Sequence, residues 1–116
     1  MIAEVLEDAA EYIEEYGWAQ VTQASTWTPG KEACVLAAIN AAEGRNPELM
    51  YNLTRAGHAF AKYIPTVKSV FYDESNEERI WRWNDVPERT RDEVLTALRK
   101  AAEEERKLAS VASKQG

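Results

Sequence analysis

The sequence predicts an all-α fold: a compact bundle of four main helices over about residues 2–16, 29–43, 47–64 and 91–109. The irregular segment 65–90 between the last two has room for a short extra helix. Three observations carry this reading. Apolar residues recur with the helical period in the first and last segments. Thr28-Pro29 and Asn46-Pro47 each place a capping side chain before a proline suited to the first helical position. Ser75 with Glu78, and Thr90 with Glu93, have the spacing of a capping box. A chain of 116 residues without internal repeats or a long linker makes one domain, residues 1–109, with 110–116 expected as a frayed tail.

At 100° per residue, Ile2, Val5, Leu6, Ala9, Tyr12, Ile13 and Tyr16 fall on one side of the first helix, and the acids fall opposite. Gly17 is the expected left-handed stop, after which Trp18 folds back on the apolar face. Residues 19–28 form a polar connector. With Thr28 as its cap, the second helix contains Ala33 to Ala42, apolar on nearly every side except at Asn40, and Cys34 lies in its second turn. Gly44 closes it. In the third helix Leu49, Met50, Leu53, Gly57, Phe60 and Ile64 share a face, Tyr51, Arg55, His58 and Lys62 take the other, and Pro65 ends it. Val67, Val70 and Phe71 read as either a short extended piece or an irregular turn. In the last helix Val94, Leu95, Leu98, Ala101, Ala102 and Leu108 define the buried face, with Glu105 in the middle of that arc, where packing should weaken.

The net charge of −6 is local. Residues 1–30 hold six acids (Glu4, Glu7, Asp8, Glu11, Glu14, Glu15) and no base, and the remaining 86 residues hold 14 acids and 14 bases. That balance argues against a basic nucleic-acid-binding domain. Arg79, Arg82, Arg89 and Arg91 interleave with Trp81 and Trp83, but Glu77, Glu78, Asp85, Glu88 and Asp92 cancel their field. Pairing of these arginines with acids of a neighbouring helix is the alternative. One cysteine excludes an internal disulfide and fits a reducing compartment. The acidic N-terminus is unlike a secretion signal, and no apolar run is long enough for a membrane span, so a cytoplasmic location is expected.

Few residues have the means for catalysis. Cys34 with His58 as base is the nucleophile candidate, but Ala, Val and Leu surround the thiol and raise its expected pKa. One histidine and one cysteine cannot make a zinc site, Asp73, Glu74, Glu77 and Glu78 lack the spacing of a calcium loop, and no glycine-rich phosphate loop exists. No cofactor is expected. The segment Trp83-Asn84-Asp85-Val86-Pro87-Glu88-Arg89-Thr90 has two readings. In one, Trp83 anchors in the core, Asn84 and Asp85 make turn bonds, and Thr90 caps a helix. In the other, Asp85 and Arg89 are polar site residues beside the Trp83 wall.

Three pieces carry a family likeness: Gly17-Trp18-Ala19-Gln20, Cys34-Val35-Leu36-Ala37-Ala38-Ile39, and Trp83 to Thr90 running into Asp92-Glu93-Val94-Leu95. Together they resemble an uncharacterised family of small actinobacterial and actinophage proteins. That family's late motif is Trp-Asn-Asp-x-Pro-x-Arg-Thr-x-x-Glu-Val, and Val21 and Ala37 stand here where it has glycine. The likeness implies an actinobacterial or phage source and no activity.

The expected function is a small regulatory protein of phage or mobile-element origin. It would bind a protein partner, with the six carboxylates of the first helix as docking face for a basic surface. The alternatives are a small-ligand binder or enzyme at Trp83, Asp85 and Arg89, and a structural homodimer using the second helix or Trp27 and Trp81.

Overall fold

Helix α1 (Ile2–Tyr16) lays Ala3, Leu6, Ala9, Ala10 and Ile13 on one face, all buried in the core. The computed structural model describes residues 2–20, 31–44, 55–64 and 75–115. Within them the protein is all-helical, with α2 (Val35–Ala42), α3 (Arg55–Ala61), α4 (Asn76–Asp85) and α5 (Arg91–Gln115) following α1. The short extra helix for which 65–90 had room is α4. Val67, Val70 and Phe71, the Thr28 and Asn46 caps, their prolines, and Pro65 lie outside the described residues.

Tyr16 departs from the expected apolar arc. It is 43% exposed and packs on Tyr12, with ring centroids 4.7 Å apart, while Ala10 takes the buried side. Gly17 stops the helix as expected. Its φ is +104°, a left-handed conformation that a side chain would strain, and its N–H closes on the Ile13 carbonyl at 2.8 Å. The chain then runs extended. Gly17 O accepts from Ala33 N and Ala19 N donates to Ala33 O, both at 3.1 Å.

This pairing corrects the start of the second helix. Residues 31–34 are not helical, because the backbone of Ala33 bonds to Gly17 and Ala19 instead of to its own helix. Helix α2 begins at Val35, with Cys34 as its N-cap rather than in its second turn. Val35 to Asn40 are all buried, as a helix with apolar residues nearly all round requires. Gly44, with φ +72°, follows its end.

Helix α3 ends at Ala61, short of the expected 64. Lys62 and Tyr63 donate three residues back, to Ala59 and Phe60, which tightens the chain into a turn. Arg79 Nη1 caps the Ala61 carbonyl at 3.2 Å. The division of faces holds where it is described: Gly57, Phe60 and Ile64 are buried, and Arg55, His58 and Lys62 are exposed.

Both expected caps form, with the full reciprocal box at Thr90. Ser75 Oγ accepts from Glu78 N at 3.1 Å at the head of α4. At the head of α5, Glu93 N donates to Thr90 Oγ1 at 3.1 Å and Thr90 N donates to Glu93 Oε1 at 3.0 Å. Helix α5 then runs to Gln115 instead of ending near 109. Leu108, expected in the core, is 55% exposed, on the wall of an open cleft that Ile2 and Val5 of α1 also line.

Helices α1 and α5 pack antiparallel, and their charges keep the same register. Arg106 pairs with both oxygens of Glu7 and Arg99 pairs with Glu14, so residues two turns apart on one helix meet residues two turns apart on the other. Arg91 Nη2 also donates to the Glu14 carbonyl at 3.4 Å. Exposed pairs of this kind add little stability singly but fix orientation.

Thr90→Ala should cost about 1 kcal/mol of stability, read by urea denaturation. Hydrogen bonds from the Thr90 backbone and hydroxyl, with Arg89 nearby, hold the Glu93 carboxyl below the ordinary glutamate range. A depressed carboxylate stabilises the fold above its unfolded pKa and loses that effect as pH falls through the folded value. The stability difference between wild type and Glu93→Gln should therefore be present at pH 7 and disappear in strong acid.

Candidate functional site

The three sequence pieces that carry the family likeness meet at one buried side chain. Asn84 is 1% exposed in the last turn of α4. Its Oδ1 accepts from the Trp18 indole Nε1 at 2.7 Å and from the Val35 backbone N at 3.0 Å. Its Nδ2 donates to the Ala19 carbonyl at 3.1 Å and to Asp85 Oδ1 at 3.0 Å. The extended strip after α1, the head of α2 and the tail of α4 thus share a single amide.

The residues around it complete two helix ends. A helix leaves its last carbonyls without intrahelical donors. Gln20 Nε2 donates to the carbonyls of Asn84 at 3.2 Å and Val86 at 2.7 Å, and Arg89 Nε donates to that of Trp83 at 3.0 Å. At the other end, α2 needs acceptors for its first N–H groups. Val35 N has Asn84, and Ala37 N has Cys34 Sγ at 3.5 Å. The negative end of α4 and the positive end of α2 lie together, which is electrostatically favourable.

Trp83 is buried with its edge against Phe60, ring centroids 5.8 Å apart and planes at 75°. The Arg89 guanidinium covers the Trp83 ring at 4.1 Å and reaches Glu93 Oε2 at 3.1 Å. Trp83, Asn84, Asp85, Arg89 and Thr90 are therefore brought together, each with an internal partner. Neither Trp18 nor Gln20 stood out as a polar contact in the sequence, although both lie in the early piece of the family pattern.

Cys34 and His58 are not joined. The His58 ring accepts from Asn76 Nδ2 at 2.9 Å. Cys34 does sit at a helix N-terminus, yet its thiol is pushed above the ordinary range, first by burial and also by the Asp85 charge, against the lowering bond from Ala37. Among the described residues no group of three or more His, Cys, Asp or Glu is arranged to hold a metal ion. No described helix is long and apolar enough to cross a membrane. The four arginines of 79–91 meet partners close by: Arg82 pairs with Glu78, Arg89 with Glu93, Arg91 with Asp92, and Arg79 caps α3.

The six acids of α1 split into two sets. Glu7 and Glu14 face α5 and its arginines. Glu4, Asp8, Glu11 and Glu15 are exposed, and none has a cationic partner among the described residues.

Residues 1–104 match the model of a family of unknown function, DUF6197. The chain belongs to that family. No curated protein and no solved structure matches it significantly. The DUF6197 match takes in the whole Asn84 junction, so the strip after α1, the head of α2 and the tail of α4 all fall inside it.

Asn84→Ala would leave the Trp18 indole and the Val35 amide without their buried acceptor. It should cost about 3 kcal/mol or more in urea denaturation, since unsatisfied buried donors lose their full solvation. Cys34 should react with a disulfide reagent at pH 8 at least about tenfold more slowly than free cysteine, because the thiolate is disfavoured.

Proposed function

We propose that this chain is a small, non-catalytic cytoplasmic factor of phage or mobile-element origin that docks a basic protein surface through one face of α1. The carrying observation is the row Glu4, Asp8, Glu11 and Glu15, exposed beside Glu7 and Glu14. Two of the six acids hold α5 in register, and the other four present a field of one sign to solvent. Spacings of three and four residues keep them on one side of the helix. The internal engagement of Trp83, Asn84 and Arg89 supports a non-catalytic reading, because the polar atoms a ligand would need already cap helices.

Capture from an actinobacterial lysate should recover a basic protein with wild type and lose it with Glu4/Glu11/Glu15→Lys. Circular dichroism should show the same helix content in both. The captured complex should weaken steeply as salt rises, with association slowed at least about tenfold by the charge reversal. Identical partners for both proteins, or binding indifferent to salt, would remove α1 from the account.

A further inference from the structure

Tyr16 is an exposed ring that the fold leaves beside uncompensated acid. It is 43% exposed, and among the described residues its ring contact is with Tyr12. Tyr12 is held in turn, its hydroxyl donating to the Lys31 carbonyl at 2.7 Å. Tyr12 stands one helical turn from both Asp8 and Glu15, and Tyr16 one turn beyond it, so the rings border the acidic row. Glu32, also exposed, begins next to Gly17, with its Cβ 3.4 Å from where a Cβ on Gly17 would lie.

The charge around these rings is one-sided when every cation is counted. Those seen at this end of α1, among the described residues, are Arg99, Arg91 and Lys31. Arg99 pairs with Glu14, and Arg91 reaches the Glu14 carbonyl and Asp92. Lys31 is exposed and forms no ion pair among the described residues. The connector 21–30 has no charged side chain. Asp8, Glu11, Glu15 and Glu32 are thus left against Lys31 alone, and the surplus selects a cation.

The ring selects which cation. Elsewhere in this chain, rings bordered by a carboxylate carry one. Arg89 lies 4.1 Å from the Trp83 ring centroid and pairs with Glu93, and Arg82 lies 5.5 Å from that of Trp81 and pairs with Glu78. Lys62 stands 5.7 Å from the Tyr63 centroid and 3.7 Å from Glu105, to which Tyr63 donates at 3.0 Å. The closest of the three seats holds a guanidinium. A flat, weakly hydrated guanidinium stacks on a ring and keeps its N–H edge for carboxylates, whereas an ammonium gives up more water to make the same contact. Tyr16 offers the same grouping, with no cation over its ring among the described residues.

We propose that the basic partner of α1 is an arginine-bearing segment, with one guanidinium stacked on Tyr16 beside Glu15 and Glu32. This rests on the docking reading of α1 and adds the residue that distinguishes arginine from lysine.

Capped hexa-arginine and hexalysine peptides, titrated calorimetrically at low ionic strength, separate the two claims. Both should bind the wild type, hexa-arginine more tightly. Tyr16→Leu, which keeps apolar bulk at a surface position, should cut the ratio of the two affinities about two- to fivefold by weakening hexa-arginine alone. Tyr16→Phe keeps the ring and should preserve the ratio, and Glu4/Glu11/Glu15→Lys should weaken both peptides. Equal affinity of the wild type for the two peptides, or an unchanged ratio in Tyr16→Leu, would overturn the role of Tyr16 and leave acidic docking in place. A ratio lost in Tyr16→Phe as well would overturn the stacking. Failure of both peptides to bind the wild type would remove the docking reading and this inference with it.

Discussion

One buried amide sets the arrangement of the middle of this molecule. A carboxamide has two acceptor positions and two donor hydrogens, and Asn84 uses its oxygen twice and its nitrogen twice. Its four partners belong to three separate stretches of chain. Isosteric leucine would fill the space but supply none of these bonds, and aspartate would lose the donors while burying a charge. The junction holds the tail of α4 against the head of α2, beside the strip after α1 that pairs with Ala33. Residues of the early and late pieces complete the same joint: Gln20 and Arg89 serve the α4 carbonyls of Asn84 and Trp83, and Trp83 closes the core below.

The second organising contact is electrostatic and lies on the surface. Arg99 and Arg106 repeat at the same two-turn interval as Glu7 and Glu14, in opposite order. That match makes α1 and α5 antiparallel partners in register. It also sorts the acids of α1, leaving Glu4, Asp8, Glu11 and Glu15 exposed and with no cationic partner among the described residues. Four of the chain's acids thereby form one solvent-facing strip of a single sign.

Local features were legible in the sequence. The helix caps at Ser75 and Thr90, the stop at Gly17 and the buried face of α1 depend on residues within a turn or two of each other. Longer-range competition was not. The helical pattern before Val35 is broken by Ala33, whose backbone pairs with Gly17 and Ala19. Asn84 and Trp18 stand 66 residues apart, and no periodicity announces their bond. Glu105 was visible as a charge in an apolar arc, but its partner Tyr63 and the cleft beside it needed the tertiary arrangement. Leu108 carried the right spacing for burial and lies on the wall of that open cleft instead.

The most direct test of the Asn84 junction is hydrogen exchange at the Val35 amide. As the first N–H of α2 it has no helical acceptor of its own, and in an ordinary helix such a group exchanges nearly as fast as an open peptide. Bonded to Asn84 in the core, it should exchange only through opening of the whole fold, with a protection free energy equal to that of global unfolding. Exchange at the rate of an exposed helix start would contradict the central role given to Asn84.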